Sequence, residues 1–290
     1  MRRTADLRLT ALFLLGAAAI AWIVTVDRMQ GMDAGPGTDL GSFGWFAGIW
    51  AVMMAAMMLP SLVPMAGAYA AQARGGSTDV TPQSLLRTTL FTAGYLLAWV
   101  LVGVVAWLVF EAVRSLDISF LGWDDGGRYV AGGIIAGAAL YEFTPLKRTC
   151  LRHCRDRRLL AADWREGSAG ALRMGLDQGA YCVGSSWALM AALFALGVMS
   201  ITWMVVIAAL IVLEKVLPWR ERAEAVTVVV LLALAVGVAF LPGQVPGLTT
   251  PDSPAAMRAM DSMSMHDAPM HKTPMHKTPM HTTPMQGMSP

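Results

Sequence analysis

The stretch from Phe43 to Tyr69, FGWFAGIWAVMMAAMMLPSLVPMAGAY, contains no charged side chain. It exceeds the ~20 apolar residues that a helix needs to cross a ~30 Å hydrocarbon layer. It also lacks the alternation of a spanning β-strand, which leaves a helix as the way to satisfy its backbone in lipid. Comparable runs extend from Leu9 to Val26, Thr88 to Phe110, Tyr129 to Leu146, Gly179 to Val198, Ile201 to Leu217 and Ala225 to Leu241. The expected fold is therefore all-α: a polytopic transmembrane helix bundle of about seven spans over residues 1–242, followed by a tail over 243–290. Composition agrees, since 56% of the 290 residues are hydrophobic and 14% charged, against about 25% charged in a soluble domain.

Cytoplasmic loops retain an excess of lysine and arginine, and most of the 22 basic residues fall inside if the N-terminus is cytoplasmic. The largest cluster is Lys147, Arg148, Arg152, Arg155, Arg157, Arg158, Arg165 and Arg173, between the fourth and fifth runs. The loops assigned outside, Asp27 to Asp39 and Asp117 to Asp125, are acidic or neutral. Arg2 and Arg3 ahead of the first run resemble a signal peptide, but its apolar core is longer than a signal's and no cleavage site precedes Asp27. It is expected to be a retained span.

Beyond Leu241 the composition shifts to Pro, Gly, Thr, Met and His, which cannot bury enough apolar surface to fold alone, so this tail is expected to be disordered and outside. From Pro269 a unit Pro-Met-His-Lys-Thr repeats, placing Met270, His271, Met275, His276, Met280 and His281 at regular intervals after His266. Thioethers are soft ligands and imidazole suits several transition metals, so the pair points to copper. A low-complexity solubilising tail is the plainer alternative.

Inside the bundle, Met53, Met54, Met57 and Met58 recur at three- and four-residue steps and form one helical stripe able to pass monovalent copper between sulfurs. Methionine as a filler of irregular apolar gaps is the competing reading. Pro60 and Pro64 free two carbonyls in the same helix, through either a packing kink or a cavity. Gly133 and Gly137 form a small-xxx-small pair suited to close helix contact. Glu142 is an ionisable group at the inner end of its span, either functional or neutralised by Lys147 or Arg148.

Cys150, His153 and Cys154 follow; if the helix continues past Pro145, both thiols share a face with His153 beside them, enough for one copper ion. Cys182, Ser186 and Met190 line one side of the fifth run. Glu214 and Lys215 end the sixth, where they pair or snorkel to the inner surface. Pro60, Glu142, Cys150, Cys182 and Glu214 thus converge on one level, with the methionine stripe above it.

Four ordered motifs carry a family resemblance: Met-Met-x-x-Met-Met-x-Pro-Ser (Met53 to Ser61), Tyr-x-x-Thr-Pro-Leu-Lys-x-x-Cys-x-x-x-Cys (Tyr141 to Cys154), Tyr-Cys-x-Gly-x-x-Trp-x-Leu-Met (Tyr181 to Met190) and Glu-Lys-x-x-Pro (Glu214 to Pro218). From Trp45 to Pro218 the chain resembles the bacterial domain of unknown function 2182 family, described as predicted metal-binding integral membrane proteins. The resemblance implies a multi-pass protein of the bacterial inner membrane with metal interest at Met53, Met54, Met57, Met58, Cys150, Cys154 and Cys182. The chain departs from that pattern at Ser185 and Ser186, where cysteines are common, and at Glu142, where glutamine is common.

No phosphate-cradling loop, phosphorylation sequence, haem-attachment motif or nucleophile elbow occurs, which argues against an ATP-driven pump or a hydrolase. The basic loop is explained by topology and anionic lipid, so no nucleic-acid partner is expected. Copper handling leads the functional expectations: binding, transport, or delivery to a membrane cuproenzyme. A membrane redox enzyme, or a structural subunit with a metal-buffering tail, is the alternative.

Overall fold

A computed structural model of the chain describes residues 2–29, 42–75, 81–116, 126–198, 200–217, 219–246, 248 and 257. The described elements are helices: α1 (Arg2–Met29), α2 (Phe43–Ala73), α3 (Pro82–Ser115), α4 (Arg128–Tyr141), α5 (Pro145–Arg155), α6 (Arg157–Ala162), α7 (Gly167–Leu196), α8 (Ile201–Val216) and α9 (Arg220–Phe240). Five of them, α1, α2, α3, α7 and α9, are long and apolar enough to cross a membrane. The two other expected spans are short: α4 has 14 residues and α8 has 16. At 1.5 Å per residue each covers about 21–24 Å, less than the hydrocarbon thickness.

Helices α2 and α7 form the centre. Of the most apolar stretch of each, 56% and 61% is buried, against 17% to 33% in α1, α3 and α9. Around the pair pack α1 on α2, α3 on both α2 and α7, α5 and α4 on α7, and α9 on α4. The outer helices carry exposed Leu12, Phe13, Ile20, Leu101, Val105, Leu108, Val229, Val236 and Phe240. An apolar exterior of that extent is unusual for a soluble monomer and compatible with a hydrocarbon surround.

Local chemistry explains the breaks. Thr81 accepts from the Ser84 N–H at 3.2 Å, the Ser84 hydroxyl returns to Thr81, and Pro82 opens α3. Helix α4 ends at Tyr141; Thr144 takes an extended conformation, caps the Lys147 N–H at 3.3 Å and, with Pro145, starts α5 as a separate helix. The run therefore does not continue as one helix through Pro145, because Pro145 has no N–H for the ladder. Helix α2, by contrast, remains unbroken through Pro60 and Pro64, with the Ser61 hydroxyl donating to the Met58 carbonyl at 2.8 Å.

The close helix contact falls elsewhere than at Gly133 and Gly137, where an added Cβ would meet open space. Gly132 abuts Ala235 and Ala239 of α9 instead, one residue and so about 100° around the helix. The tightest packing joins α3 to α7: a Cβ at Gly179 would come within 2.8 Å of the Tyr95 carbonyl, and Gly94 and Gly175 lie against the backbones of Leu172 and Phe91. This contact sets the height of Tyr95 relative to Cys182.

Candidate metal centre

Three thiols gather around one turn of α7. Cys182 is on α7 itself and 1% exposed. Cys150 and Cys154 are four residues apart on α5 and share its buried face, as i and i+4 positions do. Cys154 Sγ lies 3.8 Å from Ser185 Oγ, while that hydroxyl donates to the Cys182 carbonyl at 2.9 Å. Cys150 reaches α7 at Gly184, where a Cβ would stand 2.6 Å from its sulfur. The Tyr141 hydroxyl bonds the Gly184 carbonyl at 2.6 Å and fixes the end of α4 to the same turn.

The Cys182 sulfur has two polar neighbours. Lys215 Nζ donates to it at 2.7 Å, and the Tyr95 hydroxyl lies 2.9 Å away. Ser61, one turn beyond the methionines of α2, stands beside the same phenol. Met53, Met54, Met57 and Met58 are all buried, the last three at 0% exposure. Ser61 donates to the Met58 carbonyl at 2.8 Å, so the methionine-bearing turn of α2 lies near the Tyr95 hydroxyl that meets Cys182.

A second buried group lies alongside. Lys147 is ion-paired to Glu142 and, at 2.8 Å, to Glu214. All three residues are 1% to 2% exposed. Charges so far from water persist only when paired and hydrogen-bonded. The two carboxyls also face each other, and one oxygen on each, Oε1, is buried without a hydrogen-bond partner. Arg155 donates to the Glu214 and Leu217 carbonyls at 2.9 and 2.5 Å, binding α5 to the C-terminal end of α8.

These positions bear on several sequence expectations. Glu142 is paired with Lys147, one of the two neutralising partners that the sequence offered beside a functional role. Glu214 and Lys215 neither pair with each other nor snorkel outward: consecutive side chains on a helix diverge by about 100°, so Glu214 turns to Lys147 and Lys215 to Cys182. The His153 ring is engaged elsewhere: it stacks on Tyr181 with ring centroids 4.2 Å apart, and Nδ1 bonds the Thr149 carbonyl at 2.9 Å. Ser186 and Met190 are buried on the same helix as Cys182. Tyr95 was not singled out from the sequence, although a hydroxyl inside an apolar span is a signal, because it requires a partner.

Among the described residues, no three His, Cys, Asp or Glu side chains come together closely enough to hold a metal ion. His266, Met270, His271, Met275, His276, Met280 and His281 lie outside the described residues.

A family model named PpoB2 and described as copper chaperone matches residues 47–238, about two thirds of the chain. This match overturns the resemblance to the domain of unknown function 2182 family: the family carries a name of its own and a stated tie to copper. No curated protein and no solved structure matches the chain.

Proposed function

The chain belongs to the PpoB2 family of copper chaperones, and from that premise we propose that it carries monovalent copper through a membrane-embedded helical core to an acceptor. The observation that supports this reading best is the convergence of Cys150, Cys154 and Cys182 on one turn of α7 beside the buried methionine turn of α2. Thiolate and thioether are the donors that soft monovalent copper selects. Glu142 is held by Lys147 and serves charge balance rather than ligation in this proposal.

The proposed route starts at the C-terminal tail, outside the cell membrane, where Met270, His271, Met275, His276, Met280 and His281, with His266, capture the ion. It passes down Met53, Met54, Met57 and Met58 and rests at Cys182 with Cys154 or Cys150. From there the ion moves to a membrane cuproenzyme or another membrane subunit. The bundle lies in a bacterial inner membrane with its N-terminus cytoplasmic, as the lysine and arginine distribution favours. In this proposal α4 and α8 are the two remaining spans.

Copper stoichiometry separates this from a tail that only buffers metal. Full-length protein and a chain ending after residue 248 are purified under reducing conditions and assayed for bound copper. Copper retained by the shortened chain and lost in Cys182→Ser is the expected result. Copper lost entirely with the tail would assign metal binding to the tail alone.

A further inference from the structure

We propose that Lys215 determines which ion the thiol site accepts: its ammonium occupies the metal's place at Cys182, yields the sulfur to an incoming monovalent ion, and stays in the buried region as a fixed positive charge. The inference rests on the copper reading above and adds a residue that neither the family description nor the ligand chemistry assigns.

Three observations carry it. Lys215 is buried, 7% exposed, and donates at 2.7 Å to a sulfur that soft metals would bind. It does so although the carboxylate of Glu214 is its immediate neighbour in sequence, because Glu214 is held by Lys147 at 2.8 Å. Finally, Oε1 of Glu214 and Oε1 of Glu142 are buried with no hydrogen-bond partner. Glu214 also interacts electrostatically with Lys215, so its carboxylate is the acceptor proposed for the ammonium, which must swing round the helix when it leaves the sulfur.

The exchange balances. A metal–sulfur bond forms at Cys182 as the Lys215 N–H···S bond breaks, and the ammonium makes a new hydrogen bond to Oε1 of Glu214. The step is written for the Cys182 thiolate, the form that binds metal; for it no electron or proton is transferred, and the buried region gains only the charge of the incoming ion. A divalent ion would bring twice the charge against the same retained ammonium, and repulsion between charges is strong away from water. Lys215 therefore favours monovalent ions over divalent ones, and Glu214 is the residue that receives it.

The test uses the full-length protein in lipid nanodiscs, with silver(I) as a redox-inert monovalent probe and zinc(II) as a thiol-binding divalent one. Only the binding component removed by Cys182→Ser is compared, which sets the tail aside. Lys215→Met should lower the silver-to-zinc affinity ratio about tenfold or more, because removing a fixed positive charge favours a divalent ion more than a monovalent one. Lys215→Arg, which keeps the charge, should preserve the ratio. Glu214→Gln should weaken silver binding in the wild-type background and have no effect in Lys215→Met.

A structural lysine would change both affinities alike, so an unchanged ratio in Lys215→Met with Cys182-dependent silver binding intact overturns the proposal alone. A Lys215→Arg variant that binds silver but loses the ratio does the same. Absence of any Cys182-dependent silver binding in the wild type overturns the proposal together with the copper reading.

Discussion

Lys147 Nζ stands between the carboxylates of Glu142 and Glu214, 2.8 Å from the latter, and all three groups are sealed from solvent. It joins the end of α4, the first turn of α5 and the last turn of α8, three of the elements around the thiols on α5 and α7. Replacing Lys147 by methionine would leave two facing carboxylates without their cation. Breaking a buried pair in this way costs about 3–5 kcal/mol, so the thermal midpoint of Lys147→Met should fall sharply in detergent. Glu142→Gln with Lys147 intact should fall much less, because Glu214 still neutralises the ammonium.

The methionine stripe is separable from stability. Leucine and methionine have similar volumes, and such swaps cost less than about 1.5 kcal/mol. Met54→Leu with Met57→Leu should therefore leave the unfolding midpoint close to that of the wild type while abolishing copper-dependent tolerance in cells. Unchanged copper content and tolerance would reduce these residues to core filling.

Packing between α3 and α7 positions Tyr95 against Cys182. Gly179→Leu forces a side chain against the Tyr95 carbonyl and Ala98, so the helices must separate. Expected outcomes are a destabilisation of about 1–3 kcal/mol and faster alkylation of Cys182 by a small, membrane-permeant thiol reagent. Gly133→Leu, at a position with open space around it, should change neither.

Ser185 occupies a position between the α5 and α7 thiols, 3.8 Å from Cys154 Sγ. Ser185→Cys should add a soft donor there with little change in volume. Competition with a monovalent-copper chelator should show tighter binding, whereas Ser186→Ala should leave it unaltered.

Much of the architecture is legible from apolar run length, because burial of backbone polar groups in lipid leaves few options. The boundaries follow from local chemistry: Thr144 and Pro145 mark the end of α4 as clearly as any structure does, once Pro145 is read as a helix start rather than an interruption. Cys150 and Cys154 share a face because i and i+4 residues must. What the sequence leaves open is pairing across helices. Glu214 and Lys215 look like partners when adjacent in text, yet helical geometry sends them 100° apart, to Lys147 and Cys182. Tyr95 and Gly179 acquire meaning only when α3 and α7 are in contact, a relation that no single-helix periodicity encodes.

In the proposed function, soft sulfur donors within the bundle hold monovalent copper. X-ray absorption at the copper edge on the chain ending after residue 248, loaded under reducing conditions, addresses it directly. A first shell of sulfur alone that disappears in Cys182→Ser is the expected spectrum. A shell of nitrogen and oxygen, or no bundle-bound copper, would rule out sulfur ligation within the bundle.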